Sequence, residues 1–170
     1  MGFIYTDTVN KYLCDNYTPT NLDDTLEIEI HQMRKEDLPQ VVKLDKNAVG
    51  VERRVFISNR INQAKESLVV KNPDGRIIGY GLSILGPINL ILGPIEAPNH
   101  HVAFALLNRL AGSHQGNLRI DIPSGNDAFM AHLEKNNFIK VSQPPILIKN
   151  SYLLPPRTKT LYGIAAQIFG

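Results

Sequence analysis

Between residues 26 and 149 the hydrophobic period alternates between that of strands and that of helices, and few folds satisfy the resulting order. Leu26, Ile28 and Ile30 alternate with Glu27, Glu29 and His31, the period-two pattern of a strand with one buried face. Arg34 to Lys46 carries acidic residues early and apolar Leu38, Val41, Val42 and Leu44, and Glu52 to Lys65 repeats the behaviour with Val55, Phe56, Ile57 and Ile61. Both segments read as helices, with Pro39 near the start of the first, where its missing N–H costs least.

Ser67 to Lys71 and Arg76 to Leu85 flank Asn72-Pro-Asp-Gly75, a turn sequence that makes them a hairpin. Ile88 to Ala97 is a further strand, with a bulge expected at Gly93-Pro94, and it leads into a helix over His100 to Ala111. Leu118 to Ile122 reads as a strand, and Ser124 and Asn126, both good N-cap types, precede a helix over Asp127 to Asn136. Ile139 to Lys149, interrupted by Pro144-Pro145, supplies one or two last strands. The order predicts an α/β fold, a central mixed and twisted sheet with helices on both faces.

The flanks divide the 170 residues into three parts. Residues 1–25 form an N-terminal segment, strand-like at first and then a turn-rich linker from Thr18 to Thr25. Residues 26–150 form the domain, and 151–170 a tail in which Leu161 to Phe169 predicts a short helix after Pro155-Pro156. No apolar run is long enough to span a bilayer. Lys and Arg outnumber Asp and Glu by only 18 to 16 and are scattered, which argues against nucleic acid as a partner. The single Cys14 excludes an intramolecular disulfide and a cysteine-based zinc site, and nothing at the N-terminus reads as a signal peptide, so the expected location is cytoplasmic.

With Asn126 opening the last long helix and Asn137-Phe138 closing it, preceded by Glu134-Lys135, the chain resembles the GNAT superfamily of acyl-CoA N-acyltransferases across residues 26–150. Asn at the usual Gly position keeps the logic of a left-handed helix cap. A finer resemblance is to the C-terminal domain of bacterial tandem GNAT proteins, through Gly50-Val-Glu-Arg53, Leu92-Gly-Pro94, Ile120-Asp-Ile-Pro123 and Tyr162-Gly163. It implies that residues 1–17 hold the closing strand of a preceding GNAT domain, an ordinary N-terminal extension being the alternative.

The resemblance implies acetyl-CoA as co-substrate, no metal, and the primary amine of a small molecule or peptide as acceptor. It places the cofactor along Ile95, Ala97, Pro98, Asn99, His100, His101, Val102 and Ala103, with Asn126 nearby. Chemistry there needs three things: a splayed fourth strand with free backbone N–H groups, a turn that holds pyrophosphate, and a base for the amine proton. Two family features are altered. Leu133 stands where a tyrosine would protonate the leaving thiolate, and of the small residues of the pyrophosphate turn only Ala103 remains, with Pro98 and His101 in place of the others.

Glu96, at the end of the groove strand, is a candidate general base, a solvated surface Glu being the alternative. Asp121 is a second catalytic candidate, although it equally suits an ion pair with Arg119. Arg53 and Arg54 suit an acidic substrate or the coenzyme phosphates, or a solvated helix face. Adjacent His100 and His101 point about 100 degrees apart on a helix and do not make a metal site, and His132 is expected at the surface. Two readings stay open: an N-acetyltransferase, alone or as the C-terminal half of one, and a noncatalytic GNAT-like domain that binds substrate or dimerises beside a catalytic neighbour.

Overall fold

The computed structural model describes residues 2–20, 27–112, 114–149 and 155–166. Strand β1 spans Ile4–Cys14 and β2 Glu29–Gln32, followed by a 3-10 turn at Lys35–Asp37. Helix α1 covers Leu38–Val49 and α2 Arg54–Gln63; β3, Glu66–Lys71, and β4, Ile77–Leu85, form the expected hairpin. Then come β5, Leu90–Glu96, α3, His100–Ala111, β6, Leu118–Pro123, and α4, Asp127–Lys135. The short strands β7, Ile139–Ser142, β8, Pro145–Ile148, and β9, Leu161–Gly163, complete the described residues. Residues 21–26, including Leu26 and most of the expected linker, lie outside them.

The strands form one mixed sheet in the order β2-β3-β4-β5-β6-β1-β7, with β8 on β1 and β9 on β5. Among the described strands only β5 and β6 run parallel, joined by α3 as a parallel pair requires. Helix α3 buries Val102 to Asn108, Leu110 and Ala111 and packs on β4 and β5 in the main core, together with Phe129 and Leu133 of α4. Helices α1 and α2 close a second cluster through Val41, Val42 and Ile57 against Val69 and Tyr80.

Two boundaries differ from those expected of the sequence. Residues 4–14 are a strand of this same sheet, paired antiparallel to β6 from Val9↔Pro123 to Cys14↔Leu118, so the unit does not begin at residue 26. Tyr12, Val9 and Cys14 are buried there, and the alternation that marks a strand cannot say which sheet it joins. The tail is not helical where described: Leu161–Gly163 is strand β9, because a gap beside β5 offers its backbone a ladder. Residues 167–170 lie outside the described residues.

Helix α4 ends as its sequence predicts. Asn137 takes φ 67°, and the Phe138 amide donates to the Leu133 carbonyl at 3.1 Å, turning the buried Phe138 into the core.

Candidate active site

Strand β5 carries the site because it changes partners along its length. From Leu90 to Leu92 it pairs in parallel with β6, and at Gly93-Pro94 the ladder breaks. Opposite β4, Leu92 pairs with Ser83 and Ile95 with Gly81, so β5 holds one more residue than its partner, a bulge at the expected place. Beyond it β5 and β6 diverge and a gap opens between them.

That gap is filled by the chain itself. Strand β9 lies antiparallel to β5, with Ile95 opposite Gly163 and Glu96 opposite Leu161, and Ile164 bridges to Asp121 on β6. The Ala97 amide donates to the Thr160 carbonyl at 2.9 Å and the Ile164 amide to the Asp121 carbonyl at 2.8 Å. Asn126 sends its side-chain NH2 to the Leu161 carbonyl at 3.0 Å. Gly93 is shaped for this contact: it sits at φ 148°, and a Cβ there would meet the Ile164 carbonyl oxygen at 2.4 Å.

At the N-terminus of α3 the Asn99 side chain accepts from the Val102 amide at 3.0 Å, so one of the outward N–H groups is already satisfied. Pro98, Asn99 and His101 are exposed, whereas Val102 and Ala103 are buried in the core. The His100 and His101 rings lie with centroids 4.0 Å apart, tilted by 36°; burial and then the neighbouring His101 charge lower the His100 pKa. His132 is half-buried rather than a free surface group, because Phe104 of α3 supplies a ring face 3.7 Å away. Burial, then the charges of His100, His101 and Lys135, lower its pKa. Among the described residues no group of histidines, cysteines and carboxylates is placed to hold a metal ion.

Glu96 is not a solvated surface acid: it is 5% exposed, and its Oε2 has no hydrogen-bond partner among the described residues. Burial raises its pKa to about 7, against a hydrogen bond from Thr160 that lowers it, and the charge of Asp45 adds to the rise. Asp45 is a site residue that the sequence motifs did not single out. It lies on the apolar stripe of α1 with Val41, Val42, Ala48 and Val49, a position at which an acid signals a buried partner. Arg53 supplies that partner through Nε at 2.8 Å and Nη2 at 2.9 Å, and the Tyr80 hydroxyl donates to Asp45 Oδ1 at 2.6 Å. Burial and the nearby Asp45 charge push the Tyr80 hydroxyl well above its ordinary pKa.

Asp121 does not enter an open groove. Arg119, two residues away on the same face of β6, donates to both of its carboxylate oxygens at 3.0 and 2.6 Å. Arg53 is likewise committed to Asp45, and Arg54 is exposed. The structure thus brings together Ile95, Glu96, Ala97, Asp121 and Asn126 around β9, and leaves His100 and His101 outside that cluster.

Residues 41–163 match the model of the acetyltransferase (GNAT) domain. The chain belongs to the GNAT acetyltransferase family. It is 35% identical over 169 residues to the uncharacterized N-acetyltransferase YitH of Bacillus subtilis (strain 168), a match over 99% of this chain and 59% of that protein. Its fold is similar to that of a candidate acetyltransferase from Pyrococcus horikoshii, with TM-score 0.71 and 18% identity over 96% of this chain and 52% of the other. It is also similar to a GCN5-related N-acetyltransferase from Sphaerobacter thermophilus, with TM-score 0.66 and 13% identity over 86% of this chain and 52% of the other. The chain therefore spans a little over half the length of these proteins.

GNAT-family membership raises the question of acetyl-CoA. The bulge and the splay that a donor would use are present in this GNAT chain, but the backbone of Ile95 to Ala97 is engaged by residues 160–163. Leu133, at the position of the family's acid, is fully buried and apolar. With β9 in place, these residues do not fit the donor.

Proposed function

We propose that this chain is one domain of an N-acetyltransferase acting on a primary amine, and that it serves the enzyme as the half that does not hold acetyl-CoA. The observation that carries the reading is the pairing of β9 with β5. Every strand position from Ile95 to Ala97 that the family would offer to the donor already has a backbone partner or neighbour from residues 160–163. The buried Leu133 and the Asn99 cap of α3 support it.

On this reading the donor is held by a separate catalytic GNAT domain joined to this one, in the cytoplasm. A 35% identical N-acetyltransferase that is substantially longer than this chain supports such an arrangement. Calorimetric titration of the whole chain with acetyl-CoA tests it. The expected result is no saturable heat and no thermal shift up to about 1 mM ligand, a floor near 4 kcal/mol of binding energy. Saturable binding at micromolar ligand overturns the reading.

A further inference from the structure

Residues 155–166 cross the β5–β6 gap as a strap, and the group beneath that strap is Glu96. We propose that the strap is a gate over the gap and that the Glu96 carboxyl is its latch: neutral, it lets the strap lie against β5, and ionised, it loosens the strap's hold. The inference rests on the reading that β9 closes the donor gap.

The surroundings of Glu96 carry the argument. Glu96 stands opposite Leu161 of the strap and is buried, and its Oε2 has no partner among the described residues; the nearby Thr160 favours the ionised form, an effect that burial outweighs. Among the described residues, Tyr80 stands opposite it on β4 and holds Asp45 of α1, and Tyr162 of β9, packed on Phe129 of α4, feels its charge. None is a cation. Arg53, the base paired with Asp45, spends Nε and Nη2 on it. Arg157, on the strap, is coupled to Arg53 and Asp7 instead. An ionised Glu96 would therefore be a buried charge beside a like charge, and such a charge seeks water.

Water can reach it most cheaply from the strap side. The β4 and β5 backbones are central strands, whereas β9 is three residues long; the strap buries Leu161, Tyr162, Ile164 and Ala165, and among the described residues few hydrogen bonds hold it. These are Thr158 N–H to the Ala48 carbonyl at 3.1 Å, Ala97 N–H to Thr160, Ile164 N–H to Asp121, the Asn126 side chain to Leu161, and the short β9 ladder. Lifting the strap returns Glu96 to its ordinary range near 4.5, so opening becomes more favourable as pH rises from 4.5 to about 7 and then levels.

Hydrogen exchange of the whole chain tests the latch, read at the Ala97 and Ile164 amides and corrected for the intrinsic pH dependence of exchange. Protection at both is expected to fall roughly tenfold per pH unit between pH 5 and 7 and to level above that, while Val70, buried on β3 between β2 and β4, shows no such trend. In Glu96→Gln the trend at Ala97 and Ile164 is expected to vanish, with protection retained at pH 7. An unchanged slope in that variant, or a flat wild-type profile, overturns the latch. Acetyl-CoA titrated in parallel at pH 5 separates the two readings: saturable binding with β9 still protected would remove the closed gap and leave the exchange result to stand or fall alone.

Discussion

The Asn126 side chain, at the mouth of α4, donates to the backbone carbonyl of Leu161 at 3.0 Å, tying the start of one helix to the strand that fills the sheet's gap. Asn126 is buried, and its NH2 also lies 3.4 Å from the Pro123 carbonyl. Although Asn is a good cap type, this side chain makes no capping bond to α4; its shorter hydrogen bond serves the strap instead.

Asn126→Ala is accordingly expected to cost about 1–3 kcal/mol, the loss typical of a buried acceptor left without its donor. Urea unfolding should show this as a lower midpoint. Exchange should rise at Ile164 and Ala97 before it rises in β3 and β4. A variant whose strap amides stay as protected as the wild type would show that Leu161 is held by β9 pairing alone.

Glu96 gives the global stability a pH dependence of known sign. Its folded pKa, about 7, lies above the ordinary 4.5, so the native state holds the proton more tightly than the unfolded chain. The contribution is fully present below about pH 4.5 and is lost as pH rises to about 7, amounting to at most about 3 kcal/mol. Glu96→Gln should remove this slope and make the chain more stable than wild type at pH 7.5. Unfolding free energies at pH 5 and 7.5 for both proteins check it, and parallel slopes would show that the carboxyl is already hydrated in the native state.

The elements with their own periodicity are legible in the amino-acid sequence. Helix α3 occupies His100–Ala111, the span its apolar stripe predicts, and the Asn137 cap follows from the rarity of residues that accept a left-handed conformation. Pairings that depend on a vacant ladder elsewhere in the chain are not legible in this way. Leu161-Tyr-Gly reads as the start of a helix next to Ala165-Ala166, and becomes a strand because β5 and β6 part at Gly93-Pro94. The same reason hides β1, whose place beside β6 is set by residues more than a hundred positions away. Asp45 is readable in principle as an acid on an apolar stripe, whereas Glu96, at the end of a strand beside a Pro-containing turn, reads equally as a solvated acid and is buried between β4 and the distant strand β9.

Gly93 and Gly75 give a matched test of the strap, since both have positive φ and only one has a close neighbour. A Cβ at Gly93 would stand 2.4 Å from the Ile164 carbonyl oxygen, whereas at Gly75, in the hairpin turn, nothing lies within 4 Å. Gly75→Ala is expected to cost about 1 kcal/mol, the conformational penalty alone. Gly93→Ala should cost about 2–4 kcal/mol, since strain and a displaced strap add to it. Denaturant midpoints measure both, and equal losses would show that β9 yields without resistance.

The pair Asp45–Arg53 should be costly to break. Asp45 is 1% exposed and accepts from three donors on two residues, Arg53 Nε, Arg53 Nη2 and the Tyr80 hydroxyl. Removing the guanidinium leaves a buried carboxylate with one neutral donor and with Glu96 nearby, an arrangement that typically costs about 3–5 kcal/mol. Arg53→Ala is therefore expected to lower stability by that amount. Arg53→Lys should recover only part, because an ammonium cannot reproduce the two-pronged contact or the position over the Phe56 ring, 4.7 Å from the guanidinium carbon. The double variant Asp45→Asn with Arg53→Ala should be less damaged than the sum of the singles, since it removes the stranded charge. Additive losses in that cycle would show that Asp45 is stabilised by Tyr80 and not by Arg53.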